Sequence, residues 1–147
     1  MIDPEPSAGM PSDQELRSIL GRARTIAVVG LSSDPGRPSN RVARYLQQKG
    51  YRIIPVNPNE TDVLGEQAYP SLRDIPRDVA VDVVDVFRRA EATPEIAADA
   101  VATGANVLWL QSGIVNEEAA RIGEEGGLDV VMGICIHDTS ARLEEAS

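Results

Sequence analysis

Five short apolar runs, residues 26–29, 52–56, 81–86, 106–110 and 129–132, alternate along this chain with stretches long enough for a helix. Runs this short, dominated by Val, Ile and Leu, read as strands buried on both faces. Strands of that kind joined by helical crossovers build a parallel sheet, because right-handed crossovers lay helices over its faces. The expected fold class is therefore α/β: a doubly wound five-stranded parallel sheet of strand order 3-2-1-4-5, with helices on both faces and a short N-terminal helix.

The punctuation between the runs supports that reading. Ser12-Asp13-Gln14-Glu15 has the form of a capping box, and Leu16, Ile19 and Leu20 share one helical face, which predicts a helix over 13–20 stopped by Gly21. Ser39 reads as the N-cap of a helix over 40–49, with Val42, Ala43 and Leu46 inward and Gly50 after it. Thr93-Pro94 opens a helix to Thr103, and Asn116 opens one through Glu125. Residues 60–79, broken by Gly65, Pro70 and Pro76, form the least regular crossover, with one helical turn over 71–74. Pro55 cannot donate to a ladder, so its side of the second strand must face a gap or be irregular. Residues 133–137 read as loop. The domain organisation expected is a disordered, acidic, Pro-rich leader over 1–11, one domain over 12–143 and a charged tail over 144–147.

Composition excludes several functions. No apolar run approaches the roughly 20 residues of a membrane span, and the acidic start lacks the pattern of a signal peptide, so a cytoplasmic protein is expected. One cysteine and one histidine allow neither an internal disulfide nor a Cys/His metal cluster. A net charge of −9 argues against nucleic acid or an anionic membrane as partner, since both need many clustered cations. A single small anion remains compatible: all basic residues but Lys49 are arginine, the side chain suited to forked phosphate contacts.

The stretch Thr25–Asn40, TIAVVGLSSDPGRPSN, points to such an anion. A strand reaches Gly30, a small polar loop follows with Arg37, and a helix begins near Ser39. Glycine lets backbone approach a ligand, and N–H groups at a helix start attract negative charge. Doubly wound sheets bind ligands beyond the carboxyl ends of their strands, where Gly30 to Ser39, Asn57-Pro58, Phe87-Arg88 and Gln111-Ser112-Gly113 would converge. A dinucleotide fingerprint fits poorly, because Ser32 and Pro35 stand where its second and third glycines belong and Asn57-Pro58 stands where an acid would hold ribose. A P-loop fails too: the glycines are one residue too far apart, Arg37 replaces Lys and Pro38 removes an N–H. Cys135 reads as a small buried residue, His137-Asp138 as a surface pair and Trp109 as core. No set of nucleophile, base and orienter emerges.

The segment TIAVVGLSSDPGRPSNRVARYLQQKGYRIIPVNPN, with VDVFRR, VLWLQSGIVNEEAA and GLDVVMGIC downstream, closely resembles the small stand-alone CoA-binding proteins. Their Rossmann-like domain is shared with the nucleotide-binding part of the succinyl-CoA synthetase alpha subunit. The resemblance implies coenzyme A or an acyl-CoA as ligand. Its phosphates would lie over Gly30, Leu31, Ser32 and Ser33, with Arg37 and Ser39 adding charge and hydroxyl contacts. Asn57 and Pro58 would flank the nucleotide, Phe87 and Arg88 would pack on the adenine or pantetheine side, and Gln111, Ser112 and Gly113 would complete the cleft. Binding without catalysis is expected. The alternatives are an NAD(P)-dependent oxidoreductase and a regulatory module sensing CoA or acyl-CoA. Oligomeric state stays open.

Overall fold

The computed structural model describes residues 10–146, so most of the expected leader lies outside the described residues. In chain order the elements are α1 (Asp13–Arg22), β1 (Thr25–Val29), α2 (Pro38–Gln48), β2 (Arg52–Val56), β3 (Asp62–Val63), β4 (Glu66–Gln67), β5 (Val83–Val86), α3 (Thr93–Ala102), β6 (Val107–Leu110), α4 (Glu117–Glu125), β7 (Asp129–Met132) and α5 (Ile136–Glu145). Turns of 3-10 helix at Leu72–Asp74 and Ala90–Ala92 interrupt the longer connections.

β1 is buried throughout and apolar after Thr25, because both its faces are covered. Ile26 and Val28 enter one core, where α1, α2 and α5 pack through Ile19, Leu46 and Leu143, while Ala27 and Val29 enter the other under α3 and α4. The result is the expected doubly wound, Rossmann-like α/β sheet, with all five strands parallel.

The strand order is a correction. The sheet runs β2-β1-β5-β6-β7, which is 2-1-3-4-5 in the numbering of the five apolar runs, rather than 3-2-1-4-5. Pro55 supplies the physical reason. β2 pairs with β1 on its inner side, where Val56 O accepts the Gly30 N–H at 2.7 Å. Pro55 faces outward, and its carbonyl accepts the Tyr69 N–H at 3.0 Å while Asn57 N–H donates to Tyr69 O at 2.9 Å. A strand whose outward nitrogen carries no hydrogen belongs at an edge, whereas the expected order would have enclosed it. The central place goes to β5, fully buried from Val83 to Val86. The point where the order reverses therefore falls between β1 and β5.

Several boundaries shift as well. α2 begins at Pro38, whose preset φ suits the first helical position, so Ser39 is not the cap and its hydroxyl is used elsewhere. α1 continues through Gly21 to Arg22. A 3-10 turn precedes Thr93, whose hydroxyl donates back to Ala90 O, so Thr93 opens α3 from inside rather than capping it. β5 starts at Val83 because the Asp82 carboxylate turns back to accept the Arg24 and Thr25 N–H groups, each at 2.9 Å. The largest miss is α5, which occupies part of the stretch read as loop and runs through Glu145. It is held by a bidentate Arg142–Asp13 pair and by Lys49–Glu144.

Candidate functional site

The exit of β1 is shaped by one glycine. Gly30 has φ +89°, and a Cβ there would stand 2.5 Å from the Phe87 carbonyl oxygen at the end of β5. Only a residue without a side chain lets the two neighbouring strand ends approach so closely. Leu31 then plunges into the core, fully buried, and its carbonyl accepts the Asn57 amide at 3.0 Å. Asn57 also receives the Asn59 N–H, so this buried side chain ties the loop after β2 to the loop after β1.

The remainder of the first loop is knitted by short bonds. Ser32 N–H donates to Ser39 Oγ at 3.1 Å, Asp34 N–H to Ser32 Oγ at 3.0 Å and Gly36 N–H to Asp34 Oδ1 at 2.9 Å. Ser33 N–H reaches outside the loop to Glu60 Oε2 at 2.9 Å. Arg41 and Arg44 bend back from α2 to the carbonyls of Gly36 and Pro35. Arg37, at the cap of α2, is exposed, and its guanidinium makes no hydrogen bond or ion pair with any described residue; the guanidinium of Arg88, at the end of β5, is likewise unpaired among the described residues.

Direct contacts thus bring together Gly30, Leu31, Ser32, Ser33, Ser39, Asn57, Phe87 and Arg88, with Arg37 and the exposed Pro58 on adjoining positions. Gln111 has another use. It is 4% exposed, and its Oε1 accepts the Ile136 N–H at the start of α5 at 3.1 Å. Ser112 and Gly113 lie exposed in the turn after β6 and make no bond to the first loop.

On the α3 side of the same sheet edge lies a cavity of about 190 Å³ lined by Val29, Val56, Pro70, Leu72 and Ile96 together with Arg88, Glu95 and Asp99. That is smaller than the roughly 300 Å³ at which pockets for whole drug-sized ligands begin, so it suits one ring or chain segment. Glu60, Pro70, Leu72 and Ile96 were not among the candidate site residues read from the sequence. The available signal was the irregular 60–79 crossover, since long irregular connections in compact domains tend to carry function.

Shifted ionisation lies away from these loops. Burial alone raises the Asp85 carboxyl well above the usual range, and both its oxygens lack a hydrogen-bond partner inside the core. The Arg142 hydrogen bond lowers Asp13, and the Glu144 hydrogen bond raises Lys49. Cys135 caps α5 half-buried, and His137 lies against the Tyr45 ring at 4.1 Å between centroids. The arrangement at the sheet edge offers cations, hydroxyls and a small recess of mixed apolar and polar lining, which is equipment for holding an anionic, partly apolar molecule.

Comparison with known proteins agrees with that chemistry. The sequence matches the CoA binding domain over residues 24–137. It is 47% identical to the uncharacterized protein YneT of Bacillus subtilis over 86% of this chain and 92% of that one. The fold superposes on a hypothetical protein of Pyrococcus horikoshii OT3 with a TM-score of 0.89 and 39% identity, covering 98% of this chain and 99% of the other. A longer relative is the ADP-forming acetate–CoA ligase II of Archaeoglobus fulgidus, 33% identical over 70% of this chain but only 15% of the ligase.

Proposed function

The chain belongs to the CoA binding domain family, and on that premise we propose that it binds coenzyme A or an acyl-CoA at the carboxyl edge of its sheet, around the junction of β1 and β5. The observation that carries the assignment is the pair of unpartnered cations, Arg37 and Arg88, flanking a glycine-pinned loop in a chain whose net charge is −9. Cations kept without carboxylate partners in so acidic a protein favour an anionic ligand, and guanidinium forks match phosphate oxygens.

In this reading the pyrophosphate lies over Gly30, Leu31, Ser32 and Ser33, with Arg37 and the Ser39 hydroxyl beside it. The recess between Val56, Pro70 and Ile96 takes a ring or the pantetheine chain, Arg88 bridges the two parts, and Asn57-Pro58 and Phe87 form the walls. Gln111 supports the site from behind by holding α5. Recognition is the whole of the proposed mechanism.

Calorimetry on the purified protein tests the proposal with CoA, dephospho-CoA, NAD and NADP. Binding of CoA in preference to both dinucleotides is expected. Tight NAD binding without CoA binding would move the protein to the oxidoreductase reading.

A further inference from the structure

A phosphate at the first loop needs backbone N–H groups, yet each N–H from Ser32 to Gly36 already has an acceptor, Pro35 having none. Three of those acceptors belong to the loop or to the first turn of α2. The fourth differs in origin: Ser33 N–H donates to a carboxylate oxygen of Glu60, 27 positions away, whereas the one other carboxylate acceptor, Asp34, lies within the loop itself. Glu60 sits at the root of the β3–β4 hairpin, and its own N–H donates to Asn57 O at 3.2 Å. Its backbone is therefore anchored independently of its carboxylate. Rotation of the side chain releases Ser33 without breaking any of the loop's other hydrogen bonds.

We infer that Glu60 is an internal anion that competes with ligand phosphate for Ser33 and so sets the affinity of the loop. The inference rests on the phosphate-binding reading above. One N–H cannot serve two anions at full strength, and a carboxylate and a phosphate at this distance repel. A ligand that engages Ser33 must first turn Glu60 away, and its apparent affinity falls by the fraction of molecules in which Ser33 is already free. The same contact gives the loop a defined conformation, because the carboxylate holds Ser33 as a phosphate oxygen would. Glu60 is thus a tuning residue that loses its contact when the ligand arrives, in contrast to Arg37, which gains one.

The test compares wild type with Glu60→Ala and Glu60→Gln. Binding of CoA and of inorganic pyrophosphate is followed by calorimetry and by the Ser33 amide resonance, and thermal unfolding shows that each variant folds. Glu60→Ala is expected to bind both probes about three- to tenfold more tightly, with Glu60→Gln intermediate. The free-protein Ser33 resonance should move on substitution. The affinity gain should persist at about 1 M salt, where screening acts over about 3 Å and a mere charge at the rim would be silenced. Unchanged affinity in Glu60→Ala, or a gain abolished by salt, overturns the inference. Weaker binding overturns it as well and makes Glu60 a ligand contact. Failure of wild type to bind CoA while pyrophosphate still gains from the substitution would sink the CoA reading alone; failure of both probes in every variant would sink both.

Discussion

The turns after β1 and after β6 leave the same edge of the sheet and look alike in sequence: each joins a buried strand to a helix through glycine, serine and polar residues. They are used differently. The first, from Gly30 to Arg37, keeps its polar groups in a surface network with cations at its margin. The second spends its most distinctive side chain internally, since Gln111 is buried and receives the first N–H of α5. Asn116 closes the second turn by accepting the Ala119 N–H and donating to Ala90 O. A polar residue at the carboxyl edge of such a sheet is thus as able to hold the scaffold as to hold a ligand.

Substitutions can break or sharpen this contrast. Gly30→Ala should have the largest effect, about 3–5 kcal/mol of lost stability by denaturant titration, because it combines a positive φ with a collision against the Phe87 carbonyl. If Gly30→Ala unfolds at the wild-type denaturant midpoint, the first loop is not pinned as described. Gln111→Ala should cost about 1–3 kcal/mol by leaving the buried Ile136 N–H without an acceptor, while the folded fraction binds CoA as wild type does. A tenfold loss of affinity at unchanged stability would return Gln111 to the ligand site.

Between the two turns runs β5, and Asp85 within it gives a third test. Its folded pKa is raised by burial, so the unfolded chain releases this proton at lower pH than the folded one. Its contribution therefore falls as pH rises above the unfolded value near 4 and levels off above the folded value. Asp85→Asn should be more stable than wild type by about 1–2 kcal/mol at pH 8, with the advantage vanishing near pH 3. Thermal unfolding at the two pH values checks it, and an equal difference at both would mean that Asp85 does not carry the buried proton. The smallest stability change belongs to Arg37→Ala, within about 0.5 kcal/mol of wild type, as for an exposed side chain without partners. Its CoA affinity should nonetheless fall roughly tenfold by calorimetry.

Much of this was legible beforehand, for reasons that differ by element. Buried parallel strands announce themselves as short, largely apolar runs, and β7 and the Asn116 cap fell where the residues placed them. The order of strands was misread: Pro55, whose missing hydrogen suits an outer position, was the signal, and the expected order enclosed it. α5 was hidden because Ile136-His137-Asp138-Thr139-Ser140 has low helix propensity, although Ile136, Thr139, Ser140 and Leu143 keep helical spacing and are all buried. Packing on α1 and α2 supplies what propensity lacks. In the site, Gly30, Asn57 and Phe87 were foreseeable from strand ends. Glu60 and the walls at Pro70 and Leu72 were not, because their placement depends on how an irregular crossover folds back over the sheet.

The bonds of Tyr69 to β2 have a consequence for how this molecule meets others. Strand edges left open invite strands of other chains, and here one of the two edges is closed by a loop rather than by a partner. The residues that follow Tyr69 also wall the recess beside Arg88. A molecule lodged there would press the closing segment against the sheet and slow amide exchange at Tyr69 and Asn57.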